Sequence, residues 1–145
     1  MNHILITGSN GQLGNEMRLL ADRYEDEMTL FFTDRDELDI TDRQAVRKYI
    51  EQHEIDCIVN CAAFTAVDKA ESEEACCELL NATAPGYLAE SVAERGGNMI
   101  QISTDYVFDG TSSIPYKEDN PTCPNSVYGR TKLQGEENVV RLCPG

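Results

Sequence analysis

The sequence predicts an α/β fold, a doubly wound parallel sheet, from three observations. Short apolar runs, HILIT (3–7), MTLFFT (28–33), DCIVNCAA (56–63) and NMIQIS (98–103), alternate with segments of helical periodicity at about 12–24, 42–53 and 73–95. These runs are continuously apolar, as strands covered on both faces are. Gly8, Gly11 and Gly14 stand between the first run and the first helical segment. A β-α-β-α-β-α-β order implies parallel strands joined by crossover helices.

The elements can be justified in order. The first strand runs directly into the glycine turn, and a helix follows. Thr41 with Gln44 has the spacing of a capping box and predicts the start of the second helix. Gly96-Gly97 follows the third helix, where a left-handed stop costs glycine least. Residues 104–125, rich in proline and polar side chains, form a long loop, and long loops inside compact domains are usually functional. A last helix starts at Ser126, and Pro144-Gly145 closes the sequence. A complete sheet of this plan has about six strands. Only four are legible here, so the sequence predicts one incomplete dinucleotide-binding domain over 1–145, Rossmann-like and truncated after about four strands, with its substrate domain absent.

Composition narrows the partners. The 145 residues are 41% hydrophobic, enough for a core, and the net charge of -14 has the wrong sign for tracking a phosphate backbone. Nucleic acid is therefore not an expected partner. Neither a secretory signal nor a stretch of membrane-spanning length is present, so the expectation is a cytoplasmic protein without membrane attachment. Six cysteines without a C-x-x-C pair read as reduced, structural thiols. His3 and His53 lie apart from other ligand-type residues and read as packing or surface side chains.

Two constellations carry chemistry. The first is Gly8-Ser9-Asn10-Gly11-Gln12-Leu13-Gly14 at the first strand-to-helix junction, where glycines allow a tight turn and close approach of a pyrophosphate. Its G-x-x-G-x-x-G spacing points to the extended branch of the short-chain dehydrogenases. Asp34 lies 20 residues past Gly14, where an acid would hold the adenosine ribose of NADH. The adjacent Arg35 would instead grip the 2′-phosphate of NADPH, so both cofactors stay open. Asp39-Ile40 would meet the adenine, although Asp39 reads almost as well as a turn or cap residue. Ala62-Ala63-Phe64-Thr65 follows the third strand, at the edge where such sheets bind ligand.

The second constellation is Tyr128 with Lys132, four apart on one helix face, beside Ser103-Thr104-Asp105 at the end of the fourth strand. Reducing a ketone needs a hydride donor and a proton donor. A tyrosine with an ordinary pKa of about 10 is a poor proton relay at neutral pH, and a neighbouring ammonium brings it into range. Lys132 could also bind the nicotinamide ribose, and a Thr104 hydroxyl would complete a cradle for the reacting oxygen.

ITGSNGQLG, VNCAAFTAVDKAE, STDYVFDG with the following PYKEDNP, and PNSVYGRTKLQGE together resemble the dTDP-4-dehydrorhamnose reductases over essentially the whole chain. The resemblance implies hydride transfer from a bound nicotinamide to the 4-keto group of dTDP-4-dehydro-L-rhamnose. Carried over, Tyr128 is the proton donor, Lys132 its activator and ribose ligand, and Thr104 the hydroxyl on the C4 oxygen. It also implies that Thr104 and Asp105 touch the sugar, and that Gly11, Gln12, Leu13, Asp39, Ile40, Ala63, Phe64 and Thr65 contact the dinucleotide. Magnesium, used by some members, is allowed by the resemblance, but no evident site for it is legible. A homodimer is compatible with it too.

Two rivals remain. Nucleotide-sugar dehydratases of the same superfamily carry Thr-Asp-Glu where this chain has Thr104-Asp105-Tyr106, and a tyrosine cannot replace the carboxylate in elimination. An epimerase is less clearly excluded. The regulatory subunit of methionine adenosyltransferase shares the fold without catalysis, and the intact Thr104, Tyr128 and Lys132 weigh against it.

Overall fold

A computed structural model describes residues 2–145. Strands β1 (Asn2–Thr7), β2 (Met28–Thr33), β3 (Cys57–Asn60) and β4 (Asn98–Gln101) form one parallel sheet in the order β2-β1-β3-β4. Thr33, Thr7, Asn60 and Gln101 fall in one row of the register, so all four carboxyl ends finish level. Strand order reverses at β1, with β2 on one side and β3 and β4 on the other. That reversal is a topological switch point, where a doubly wound sheet leaves a crevice beyond its strand ends.

The reversal also decides which face each helix covers, because a right-handed crossover changes face when strand progression changes direction. Helix α1 (Gln12–Leu20) joins β1 to β2 and buries only Gly14. Helix α2 (Arg43–Gln52) lies between β2 and β3; α3 (Val67–Ala70), α4 (Glu74–Glu78) and α5 (Ala84–Ala93) lie between β3 and β4; α6 (Val127–Leu142) comes last. The main core joins Leu5 and Ile58 of the sheet to Val46 and Ile50 of α2, Leu88 and Val92 of α5, and Val139 of α6, with no α1 residue among them. Val46 and Ile50 stand one turn apart and are fully buried. Each such aliphatic side chain contributes roughly 1.5–3 kcal/mol when removed from water. His3 and His53 are packing residues, as expected: His3 Nδ1 donates to the His53 carbonyl (2.7 Å), and both rings pack on Phe31.

The structure departs from the sequence reading in several places. Cover on both faces holds for β1 and β3 but not for β4, whose Ile100 is 54% exposed, because a single helix on the α1 face cannot reach across four strands. Strand β3 is shorter than its apolar run, since the Asn60 carboxamide accepts the Ala62 N–H (3.2 Å) and bends the backbone out of the ladder. Helix α2 is capped by Asp42, not Thr41: the Asp42 carboxylate accepts the Gln44 and Ala45 amides at 2.9 and 3.1 Å. A charged acceptor is the stronger cap, and the Thr41 hydroxyl is already bound to Asp39. The first helical segment ends as an α-helix at Leu20 and continues as a 3-10 turn over Ala21–Arg23.

The third helical segment runs unbroken from Glu74 to Ala93, as expected, but changes pitch within its length. Short helices α3 and α4 lead into a π-helical turn, Leu79–Thr83, and then α5. Pro85 explains the turn, because it has no N–H for the Asn81 carbonyl four residues back and its ring would crowd that oxygen in a regular helix. The expected stop does form: Gly96 takes φ +75°, and the Gly96 and Gly97 amides return to Ala93 and Val92. All six cysteines are free thiols.

Candidate active site

The glycine loop is built for close approach. Gly8 takes φ +64°, and a Cβ there would lie 2.6 Å from the Ala62 nitrogen, so β1 and β3 can send their loops side by side only with glycine at this position. At Gly14 a Cβ would lie 2.5 Å from Ser9 Cα. Three loop amides are used internally: Ser9 N–H donates to the Thr33 carbonyl, Asn10 N–H to the Asp34 carboxylate and Gly11 N–H to the Gly8 carbonyl. Gly11 then caps α1 with no side chain bonded to the first turn. Those first-turn amides have no intrahelical acceptor and carry the positive end of the helix dipole.

Beside them lies a cleft of about 680 Å³ at the switch point. It is lined by Gly8, Gly11, Gln12 and Leu13 of the glycine loop and α1, by Asp34, Arg35, Asp39 and Ile40 after β2, and by Ala62, Ala63 and Thr65 after β3. Asp34 also holds the loop, one oxygen taking the Asn10 amide (3.1 Å) and the other the Arg35 amide (2.8 Å). Arg35 makes no salt bridge among the described residues. Asp39 is both a turn residue and a lining residue. Its carboxylate accepts the Thr41 hydroxyl (2.6 Å) and amide (2.9 Å), which hold its pKa below the usual carboxylate range.

Behind the cleft a polar ladder crosses the strand ends. Thr7 Oγ1 donates to Asn60 Oδ1 (2.5 Å), Asn60 Nδ2 to Gln101 Oε1 (2.8 Å), and Gln101 Nε2 to the Ile102 carbonyl (3.0 Å). The same carbonyl receives Lys132 Nζ of α6 at 2.5 Å. Lys132 is only 3% exposed. Burial pushes its pKa down, against opposing pulls from Glu136 and Cys77. The ammonium is thus less secure in its charge than a surface lysine, which spacing alone did not reveal.

Helix α6 starts where Ser126 Oγ accepts the Gly129 amide (3.0 Å). Two glycines let it come close. A Cβ at Gly129 would lie 3.0 Å from the Tyr106 carbonyl carbon, and one at Gly135 would overlap the Asn81 carbonyl. Tyr128 is buried with Val127, Ala70 and Cys77, in a cluster against which Phe64 packs. Its ring meets Tyr106 edge-on at 5.5 Å. Tyr106 and Asp105 line a smaller hollow of about 270 Å³. Thr104 caps the turn into that hollow, its hydroxyl oxygen accepting the Tyr106 amide (3.3 Å). Tyr128 therefore stands between the hollow on its Tyr106 side and Phe64, whose neighbours Ala63 and Thr65 line the larger cleft.

Not every anticipated residue faces the cleft. Asn10 and Gly14 shape the loop without lining it, Phe64 belongs to the Tyr128 cluster, and Tyr128 and Lys132 lie beyond the cleft wall. Asn81 was missed. Fully enclosed in the π-helical turn, it accepts the Phe64 amide (2.8 Å), returns a hydrogen bond to the Phe64 carbonyl (3.1 Å) and reaches Thr131 of α6 (3.3 Å). An amide side chain in mid-helix four residues before a proline was the available signal. Cys61, Cys76, Leu79 and Leu80 also line the cleft unannounced. Among the described residues no three His, Cys, Asp or Glu side chains converge as a metal site, and no helix is long and apolar enough to cross a membrane.

Fold and cleft define a doubly wound α/β domain of the Rossmann-like type, with its crevice at the carboxyl edge. The family described as RmlD substrate binding domain matches residues 1–145, and the chain belongs to it. A "probable dTDP-4,6-dihydroxy-2-methyloxan-3-one 4-ketoreductase" of Streptomyces antibioticus is 49% identical over 97% of this chain and 47% of its own length. A dTDP-4-dehydrorhamnose reductase of Streptomyces griseus is 46% identical over 97% of this chain and 45% of its own length. The chain thus spans about half the length of the curated relatives it matches. Among solved structures, a dTDP-4-dehydrorhamnose reductase of Clostridium acetobutylicum superposes with a TM-score of 0.94 at 42% identity, covering 98% of this chain and 50% of that one. One from Bacillus anthracis, solved in complex with NADP, gives 0.93 at 33%, covering 99% and 50%. The resemblance read from the sequence motifs is borne out by these names.

Proposed function

We propose that this chain is the dinucleotide-binding part of a cytoplasmic NADPH- or NADH-dependent reductase of the 4-keto group of dTDP-4-dehydro-L-rhamnose. The observation that carries the proposal is that Lys132 bonds the Ile102 carbonyl just past β4, Tyr128 meets Tyr106 and Thr104 caps the turn holding Tyr106, all beyond the carboxyl end of β4 in a domain whose cleft is rimmed by a glycine loop. The names of the relatives and the NADP in the Bacillus structure support it. The half-length match and the bare Ile100 face of β4 support a further sugar-binding part downstream of residue 145.

The residues present fit such a cofactor. The uncapped first-turn amides of α1 suit a pyrophosphate. Asp34 suits a ribose hydroxyl, and Arg35, which makes no salt bridge among the described residues, a 2′-phosphate. When bound, the reduced nicotinamide would supply a hydride to the carbonyl carbon. Tyr128 would give its hydroxyl proton to the carbonyl oxygen, so that the ketone becomes an alcohol. Lys132, one turn away, would stabilise the negative charge left on the Tyr128 oxygen. Thr104 would steady the same carbonyl oxygen, and Asp105 a sugar hydroxyl.

The test uses the full-length protein with dTDP-4-dehydro-L-rhamnose and either reduced dinucleotide, following loss of the reduced nicotinamide absorbance. Turnover is expected. Tyr128→Phe should lower kcat by about 10²–10⁴-fold while cofactor affinity stays within about twofold. An unchanged kcat in that variant would show that the proton comes from elsewhere.

A further inference from the structure

We infer that Glu136 is a positioning residue for this site, acting through Ser103 and Lys132; the inference rests on the roles proposed above for Tyr128 and Lys132. Tyr128, Lys132 and Glu136 recur at intervals of four along α6 and so share one face. The Ser103 hydroxyl donates to Glu136 Oε1. Lys132 donates to the carbonyl of Ile102, the residue just before Ser103. Two consecutive residues beyond β4 are thus held by two consecutive turns of one helix, and Thr104 comes next. The Ser103 bond to Glu136 ties the residue before Thr104 to the helix that carries Tyr128.

An acidic side chain on a helix ordinarily serves only to keep the surface wet. Glu137, the next residue, fits that description: it is exposed and makes no hydrogen bond among the described residues. Glu136 differs on two counts. It is partly buried, and its bond to Ser103 spans 33 positions of sequence.

The same carboxylate also bears on the charge of Lys132. The titratable groups acting on that ammonium are Glu136 on its own helix and Cys77 from α4, while the strand side offers the Ile102 carbonyl. Burial disfavours the ammonium, and the Glu136 carboxylate opposes that effect. Removing its charge therefore lowers the proton affinity of Lys132 further. If turnover needs the ammonium, the alkaline limb of the rate profile moves to lower pH.

The experiment titrates Lys132 by NMR in full-length protein labelled at lysine Cε, without substrate, comparing wild type with Glu136→Gln and Ser103→Ala. In Glu136→Gln the Lys132 titration should fall by about one pH unit, and kcat by about tenfold, with KM for the dinucleotide within about twofold. The alkaline limb of kcat should move down with the titration. Ser103→Ala keeps the charge, so it should lower kcat and leave the Lys132 titration in place. An unmoved titration in Glu136→Gln overturns the inference, even if turnover falls, since a fall alone is what a purely structural role would give. The titration reads the protein without catalysis, so this failure is separate from failure of the proposed reaction.

Discussion

Replacing Gly135 with alanine sets two physical effects against each other. Gly135 lies within α6, where alanine is the better helix former by about 1 kcal/mol. Propensity alone predicts a more stable protein. Packing predicts the opposite. A Cβ at this position would lie 3.3 Å from the Asn81 carbonyl carbon and 3.8 Å from Ala82 Cα, and closer still to the Asn81 oxygen. That oxygen belongs to the π-helical turn, where Pro85 offers it no N–H. Neither partner is a flexible side chain, so α6 and the π-helical turn must separate by about 1 Å to restore ordinary contact. Overpacking of this kind costs about 1–3 kcal/mol, which exceeds the gain in propensity. The net expectation is a loss of about 1 kcal/mol, seen as a melting point roughly 2–8 °C lower.

The effect on turnover should be larger. Gly135 lies between Lys132 and the Asn138–Ala82 hydrogen bond (3.0 Å), so the displaced segment carries the proposed catalytic lysine. A shift of about 1 Å at the reacting groups can cost about 10²-fold in rate. Leu79 and Leu80 of the displaced turn line the cleft, so affinity for the dinucleotide should fall as well. Thermal melting, turnover and cofactor titration of the full-length variant test all three expectations. A variant that melts several degrees higher and keeps its kcat would refute the argument, because propensity would then have outweighed the overlap.

Two further outcomes follow from the site. Lys132→Met should remove turnover yet raise the melting point at neutral pH. Burial depresses the lysine pKa in the folded state, so the folding penalty is full below that pKa and is relieved as pH rises toward the unfolded value of about 10.4. The stabilisation should therefore shrink in alkaline solution, and a lower melting point for the variant at neutral pH would contradict this sign. The Ile102 carbonyl keeps its Gln101 donor in the variant. Arg35→Ala should weaken NADPH binding about tenfold and leave NADH binding nearly unchanged; equal losses for both would mean that Arg35 does not meet a 2′-phosphate.

Much of this was legible in the chain itself. Strand positions, the glycine loop and the Tyr128–Lys132 pair follow from local regularities: continuous apolar runs, glycine where backbone must turn tightly, and a four-residue interval that places two side chains on one helix face. Such features depend on neighbours within a turn or two, so spacing exposes them. The residues lining the cleft after β2 and β3 were also reachable, because strand ends of a parallel sheet converge on its carboxyl edge. What only the tertiary structure decided involves partners distant in sequence. Asp42 displaced Thr41 as the cap because Thr41 was already bound to Asp39. The helix expected over 73–95 widens into a π-helical turn around Asn81, whose amide clamps Phe64 and reaches α6. Lys132 proved to be buried against the Ile102 carbonyl, and Glu136 to hold Ser103. Each depends on how closely two elements approach, and that distance is set by packed volume and by backbone groups seeking partners, neither of which a linear pattern records.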